Sequence, residues 1–117
     1  MYRARPLAWL LEAVRLKPPV QSSSQCVGAA GARCPFRGKE RSFPAGTFIV
    51  ANLYHASADE AVWGADALEF KPGRPRERYI NWNGPFGGDA PRQCPGELLS
   101  LLIGKTMVDA WVAKHHG

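Results

Sequence analysis

The sequence predicts a mainly α chain with a small β element, and three stretches carry that prediction. Apolar residues recur at helical spacing through residues 6–16, a β-branched and aromatic run fills 47–53, and an almost continuously apolar stretch follows Cys94 to about Val112. At 117 residues the chain has room for one domain. A chain of this size buries roughly 65% of the surface its unfolded form exposes. Ten prolines and twelve glycines predict that much of it is irregular.

Leu7, Leu10, Leu11 and Val14 fall at steps of three and four and form one apolar stripe, so Pro6–Leu16 reads as a helix. Pro18 and Pro19 stop it, because neither supplies an N–H and both restrict the residue before them. From Val20 to Pro44 the chain is rich in Ser, Gly and Ala without a period, which predicts loop with short strands at most. Pro44-Ala45-Gly46 reads as a turn, and Thr47–Leu53 is the best strand candidate. Ser57, with Glu60 three residues on, has the capping-box pattern for a short helix ending near Trp63-Gly64. Residues 65–95 hold five of the ten prolines and read as one long irregular stretch, a feature that is usually functional when real. Pro95 suits the first position of a last helix starting at Cys94. That helix is apolar on most sides and is expected to be buried, by more surface than a chain this short supplies.

Charge and cysteine count exclude more than they assign. The net charge is +5, with basic clusters at Arg33, Arg37, Lys39 and Arg41 and at Lys71, Arg74, Arg76 and Arg78. No aromatic interleaving accompanies either cluster, so both read as solvated loop charge and nucleic acid is not an expected partner. The longest strongly apolar stretch, Leu98–Ile103, is far below the about 20 residues of a membrane span. Three cysteines, Cys26, Cys34 and Cys94, argue against a disulfide framework, leaving a Cys26–Cys34 bridge as an option in an oxidising compartment. Trp63, Trp82 and Trp111 read as core, and His115 and His116 as a frayed tail.

Cys94 is the residue with the clearest chemical reading. It lies where a Gly/Pro-rich loop meets a helix amino terminus, whose unpaired N–H groups and dipole favour a thiolate over a thiol. Residues 82–93 form a loop able to present backbone N–H groups to that sulfur. Gly96 leaves space where a flat macrocycle needs close approach. On chemistry alone, an inert structural cysteine is an equal reading.

Three ordered motifs shift that balance. Phe86-Gly-Gly-Asp-Ala-Pro-Arg92-Gln-Cys94-Pro-Gly96 resembles the Phe-x-x-Gly-x-Arg-x-Cys-x-Gly signature of the cytochrome P-450 superfamily of heme-thiolate monooxygenases. Arg92, Cys94 and Gly96 match in register, Phe86 lies one residue further upstream, and Ala90 stands where a glycine is expected. Glu12-Ala-Val-Arg15 resembles the family's Glu-x-x-Arg, with both side chains on one helix face. Phe70-Lys-Pro-Gly-Arg74-Pro75 resembles its arginine motif, keeping the arginine but replacing the glutamate and second aromatic by Gly73 and Pro75. The match runs from about residue 7 to 113 and is weakest at 20–43.

The resemblance implies a partial cytochrome P-450 fold: Glu-x-x-Arg helix, short strand, irregular meander, cysteine loop and terminal buried helix. It implies a single carboxy-terminal heme-binding segment over residues 1–117, incomplete at its amino terminus. Heme b (iron protoporphyrin IX) is the implied cofactor, with Cys94 as axial iron ligand, Arg92 pairing with a propionate, and Phe86 and Gly96 beside the macrocycle. Glu12, Arg15 and Arg74 are the implied ion-pair triad that fastens the irregular stretch to the helix. In the family an apolar organic substrate is oxidised with electrons from a reductase partner, on a distal helix and in a substrate pocket not expected within these residues. The longer cysteine loop and Trp82-Asn83-Gly84-Pro85 resemble the fatty-acid hydroperoxide-rearranging branch, and Cys94-Pro-Gly-Glu97 resembles peroxide-using hydroxylases. A non-catalytic remnant and a basic interaction protein remain as readings of another class.

Overall fold

Pro6 opens helix α1, Pro6–Leu16, without a side-chain cap, and the helix closes with the Lys17 N–H on the Ala13 carbonyl before the two prolines. The computed structural model describes residues 2–36, 38–82, 84, 87 and 93–116. The face α1 buries deepest shares only Leu11 with its apolar stripe. Leu11, Glu12 and Arg15 are fully enclosed, while Leu7, Leu10 and Val14 are half-buried against the core.

The stretch after α1 holds more strand than its sequence suggests. Strands β1 (Ser22–Cys26), β2 (Ala32–Phe36), β3 (Lys39–Phe43) and β4 (Phe48–Asn52) form two antiparallel ribbons, β1 with β4 and β2 with β3. Ser24 pairs with Val50 in the first, and Cys34 with Arg41 in the second. Both ribbons lie largely in solvent on both faces, so neither imposes the alternation of apolar and polar residues by which a half-buried strand is recognised. Cys26 and Cys34 are both free thiols.

Two one-turn helices follow, α2 (Leu53–Ala56) and α3 (Glu60–Trp63). The cap of α3 is Asp59, not Ser57: Asp59 is extended, and its Oδ1 accepts the Ala61 N–H at 2.9 Å. Ser57 instead ends α2, and its buried hydroxyl has no hydrogen-bond partner. Asp59→Ala is therefore expected to lower stability by about 1 kcal/mol, read as a shift in the urea midpoint, whereas Ser57→Ala leaves that midpoint near wild type. Gly64, at φ +88°, closes α3 in a backbone conformation that side chains resist.

The described part of residues 65–95 is irregular apart from a 3₁₀ turn at Arg76–Arg78. Helix α4, Glu97–His116, starts later than Cys94: Cys94 and Pro95 lie in a turn, and the Gly96 carbonyl accepts the first helical bond, from the Ser100 N–H at 2.8 Å. It runs through His115, which stacks on Trp111 with centroids 4.6 Å apart, so this end is helix rather than a frayed tail.

The core is small: Leu11, Trp63, Ala67, Tyr79, Trp82 and Leu101. Trp63 and Tyr79 meet edge to face at 5.2 Å. Only one side of α4 takes part, where Gly104 approaches Leu10 of α1. Leu98, Leu99, Leu102, Ile103, Met107 and Trp111 are exposed, so among the described side chains the expected burial of this helix is met only at Glu97 and Leu101. Trp111 is thus corrected from core to surface, because a helix apolar all round has one neighbour to pack on. Among the described residues, no helix is long and apolar enough to cross a membrane.

Candidate functional site

The most densely bonded part of the molecule is built around one carboxylate on α1. Arg15 lies one turn from Glu12, and its Nε and Nη2 reach the two carboxylate oxygens at 2.9 and 2.7 Å, a forked pair. Its remaining N–H groups donate to the carbonyls of Ser57 and Ala67, each at 2.6 Å, and Glu69 at 3.2 Å. Arg74 arrives from the irregular stretch, donating from Nε to Glu12 Oε1 at 3.0 Å. It also bonds Asp66 Oδ1 at 2.9 Å and the carbonyls of Trp63 and Asp66 at 3.1 and 2.6 Å. Tyr79 donates its hydroxyl to Glu12 Oε2 at 2.9 Å, and the Lys71 N–H donates to Oε1 at 3.0 Å. Arg15 also lies over the Trp63 ring, 4.8 Å from its centroid.

Electrostatics follow from that crowding. Burial opposes the charged form of Glu12, but bonds from Arg15, the Lys71 N–H, Tyr79 and Arg74 outweigh it and hold the carboxyl at about 2. Hydrogen bonds from Lys71 and Arg74 lower Asp66 to about 2 as well. Burial, reinforced by the bond to Glu12, raises the Tyr79 hydroxyl above its usual value. Arg74, which the sequence places in a basic cluster read as solvated, is corrected to a half-buried position, with 7% of its side chain exposed. Arg33 of the other cluster does lie in solvent, paired with Glu40 at 3.0 Å.

The cysteine lies apart from this network. Cys94 is exposed just before α4, and its N–H donates to the Trp82 carbonyl at 2.8 Å. A Cβ added at Gly96 would lie 3.6 Å from the Cys94 sulfur, an ordinary contact distance that places position 96 beside it. Leu98, Leu99 and Leu102, in the first turns of α4, are exposed. The Trp82 indole N–H reaches Ser100 Oγ at 2.9 Å and ties the start of the loop to the helix. Phe86 and Arg92 lie outside the described residues. The structure thus brings Glu12, Arg15 and Arg74 together, and sets Cys94 and Gly96 side by side at α4. No group of three His, Cys, Asp or Glu able to hold a metal ion occurs among the described residues.

Several members of these clusters carried no sequence signal. Asp66 and Tyr79 join the Glu12 network from 54 and 67 positions away without a motif of their own, as do the carbonyls of Ser57, Ala67 and Glu69. Glu97, 6% exposed, enters the sequence reading only through the Cys94-Pro-Gly-Glu97 resemblance, with nothing there to mark its burial or its partners.

Comparison with known proteins places this arrangement. The family model described as cytochrome P-450 matches residues 8–111. The chain is 32% identical over 108 residues to cytochrome P-450 71A23 of Arabidopsis thaliana, covering 83% of this chain and 20% of that protein. It is 43% identical over 113 residues to cytochrome P-450 monooxygenase xanG of Aspergillus fumigatus, covering 86% of this chain and 20% of that one. It therefore spans about a fifth of the length of the curated relatives it matches. Among solved structures, retinoic acid-bound cyanobacterial CYP120A1 superposes with a TM-score of 0.57 at 23% identity, over 84% of this chain and 23% of that one, a likeness of fold. With helices and small sheets arranged as in part of that structure, and the family model spanning most of its length, this chain belongs to the cytochrome P-450 family.

Proposed function

We propose that this chain supplies the thiolate side of a heme site in a cytochrome P-450 type monooxygenase, with Cys94 as the iron ligand. The observation that carries the reading is the exposed thiol of Cys94 at the start of α4, beside Gly96 and an uncovered apolar face. That surroundings fit a flat, largely apolar macrocycle: one sulfur donor faces solvent, no large side chain stands at position 96, and leucines extend from it. Cys94 would hold the iron, Arg92 would pair with a propionate of heme b, and Phe86 and Gly96 would line the ring. When bound, the iron porphyrin supplies oxygen activation, and thiolate donation favours O–O cleavage.

The protein's own part in this is positional. The Trp82 carbonyl holds the Cys94 N–H, fixing the backbone from which the sulfur projects. The leucines of α4 offer an apolar surface that excludes water from one side of the ligand. The Glu12–Arg15–Arg74 cluster, remote in kind from this chemistry, keeps the irregular stretch folded so that the loop starts from a fixed place. An electron-donating reductase and an apolar organic substrate complete the proposal, both read from family membership.

A reduced, carbon monoxide-bound absorption spectrum of the chain produced with heme available tests the reading. The expected result is a red-shifted thiolate band in the wild type and in Cys26→Ala, absent from Cys94→Ala. Ordinary heme absorption, or none, in all three would overturn it.

A further inference from the structure

We propose that Glu97 is a positioning residue for the Cys94 ligand, clasping both limbs of the cysteine loop with one buried carboxylate. The inference rests on the reading of Cys94 as the heme ligand and names a residue that the family signature does not. Glu97 lies in the first turn of α4 with only 6% of its surface exposed. Its Oε1 accepts the Gly87 N–H at 3.0 Å, ten residues back, and its Oε2 accepts Gln93 Nε2 at 2.6 Å, next to the cysteine. Gly87 has φ +70°, so the N–H offered to the carboxylate comes from a backbone conformation that few side chains tolerate.

A second brace shares the same residue. The Cys94 N–H is held by the Trp82 carbonyl at 2.8 Å, the Trp82 indole donates to Ser100 Oγ at 2.9 Å, and the Ser100 hydroxyl donates to the Glu97 carbonyl at 2.8 Å. Loop entry, cysteine and first helical turn are thereby linked through Glu97 by its side chain and its backbone. The carboxylate holds Gly87 and Gln93 to the first turn of α4, because leaving it would strand a buried acceptor that these two donors satisfy among the described residues. A sulfur presented from a loop fastened on both sides meets iron in one geometry, as outer partners of metal ligands generally ensure.

The experiment compares Glu97→Ala, Glu97→Gln and Gln93→Ala with wild type, with folding checked by circular dichroism, in two readouts. Without heme, backbone amide exchange at Gly87 and the alkylation rate of Cys94 are measured. With heme, the readouts are affinity and the share of the thiolate band at equal occupancy. We expect Glu97→Ala to speed Gly87 exchange at least about tenfold and to weaken heme affinity about 10- to 100-fold, with part of the bound heme losing the thiolate band. Glu97→Gln, which keeps an acceptor for Gly87, is expected to remain within about threefold of wild type, and Gln93→Ala to fall between. If Glu97→Ala does not fold, the remaining two variants still decide, through the order of their Gly87 exchange rates. Gly87 exchange and thiolate share unchanged in every folded variant would overturn the proposal. A wild type without the thiolate band but with the exchange differences intact would sink the heme reading and leave the clasp standing.

Discussion

Arg15→Ala is expected to destabilise the protein by about 3–5 kcal/mol, the range for breaking a buried pair by removing one partner. The reason lies in what remains behind. Glu12, with none of its side chain exposed, would lose both forked bonds, the buried carbonyls of Ser57 and Ala67 would lose their donor, and the Glu69 carbonyl would keep the longer bond from Arg74 at 3.4 Å. Arg15→Lys should not restore it, because a single ammonium cannot reach five acceptors laid out around a planar fork. The matched control is Arg33→Ala, which removes an exposed pair with Glu40 and should change stability by at most about 1 kcal/mol. Urea midpoints of the three variants check the claim. Equal shifts for Arg15→Ala and Arg33→Ala would mean that the buried cluster does not hold the fold together.

Acidification is expected to undo the same cluster by another route. Glu12 has its carboxyl lowered from 4.5 to about 2 in the folded protein, so the unfolded chain binds this proton more readily. The associated stability is fully present above pH 4.5 and is lost as pH falls from there towards 2. A displacement of this size corresponds to a loss on the order of 3 kcal/mol. Asp66, lowered to about 2 by Lys71 and Arg74, adds a contribution of the same sign. Glu12→Gln removes the proton-binding step, so its stability, lower at neutral pH, should vary less across this window, keeping the shares of Asp66 and of Asp109, which Lys105 lowers. Stability measured at pH 6, 4 and 3 gives the test; parallel curves for wild type and Glu12→Gln would refute the assignment to Glu12.

What the sequence reveals of this protein depends on whether the information is local. The helix over 6–16, the strand near 48–52, the end of α3 at Gly64 and the long terminal helix all follow from spacing, proline or glycine within a few residues. The sequence admits short strands over 20–44 but does not place or pair β1, β2 and β3, because ribbons wetted on both faces need no alternation, and backbone pairing leaves little mark on composition. Ser57 shows the limit of pattern matching: two oxygen-bearing residues stood two positions apart, and the backbone at Asp59 took the extended conformation that a cap requires. Arg15 and Glu12 announce a pair by spacing alone, but their burial, and the choice of Arg74, Asp66 and Tyr79 as companions, is decided by contacts far along the chain. Glu97 hides for the same reason, since its partners are a backbone N–H and a side-chain amide.

The guanidinium of Arg15 joins points 42, 52 and 54 residues downstream, so its bonds cannot exist until α1 and that distant segment have already met. Closing loops of this length uses up chain entropy before any of those bonds forms, so the cluster is expected to complete late in the folding reaction. Its loss then acts mainly by hastening departure from the native state rather than by delaying arrival. The bonds gathered at Arg15 are thus expected to act as a latch on lifetime: Arg15→Ala should raise the unfolding rate more than it lowers the refolding rate in stopped-flow urea jumps.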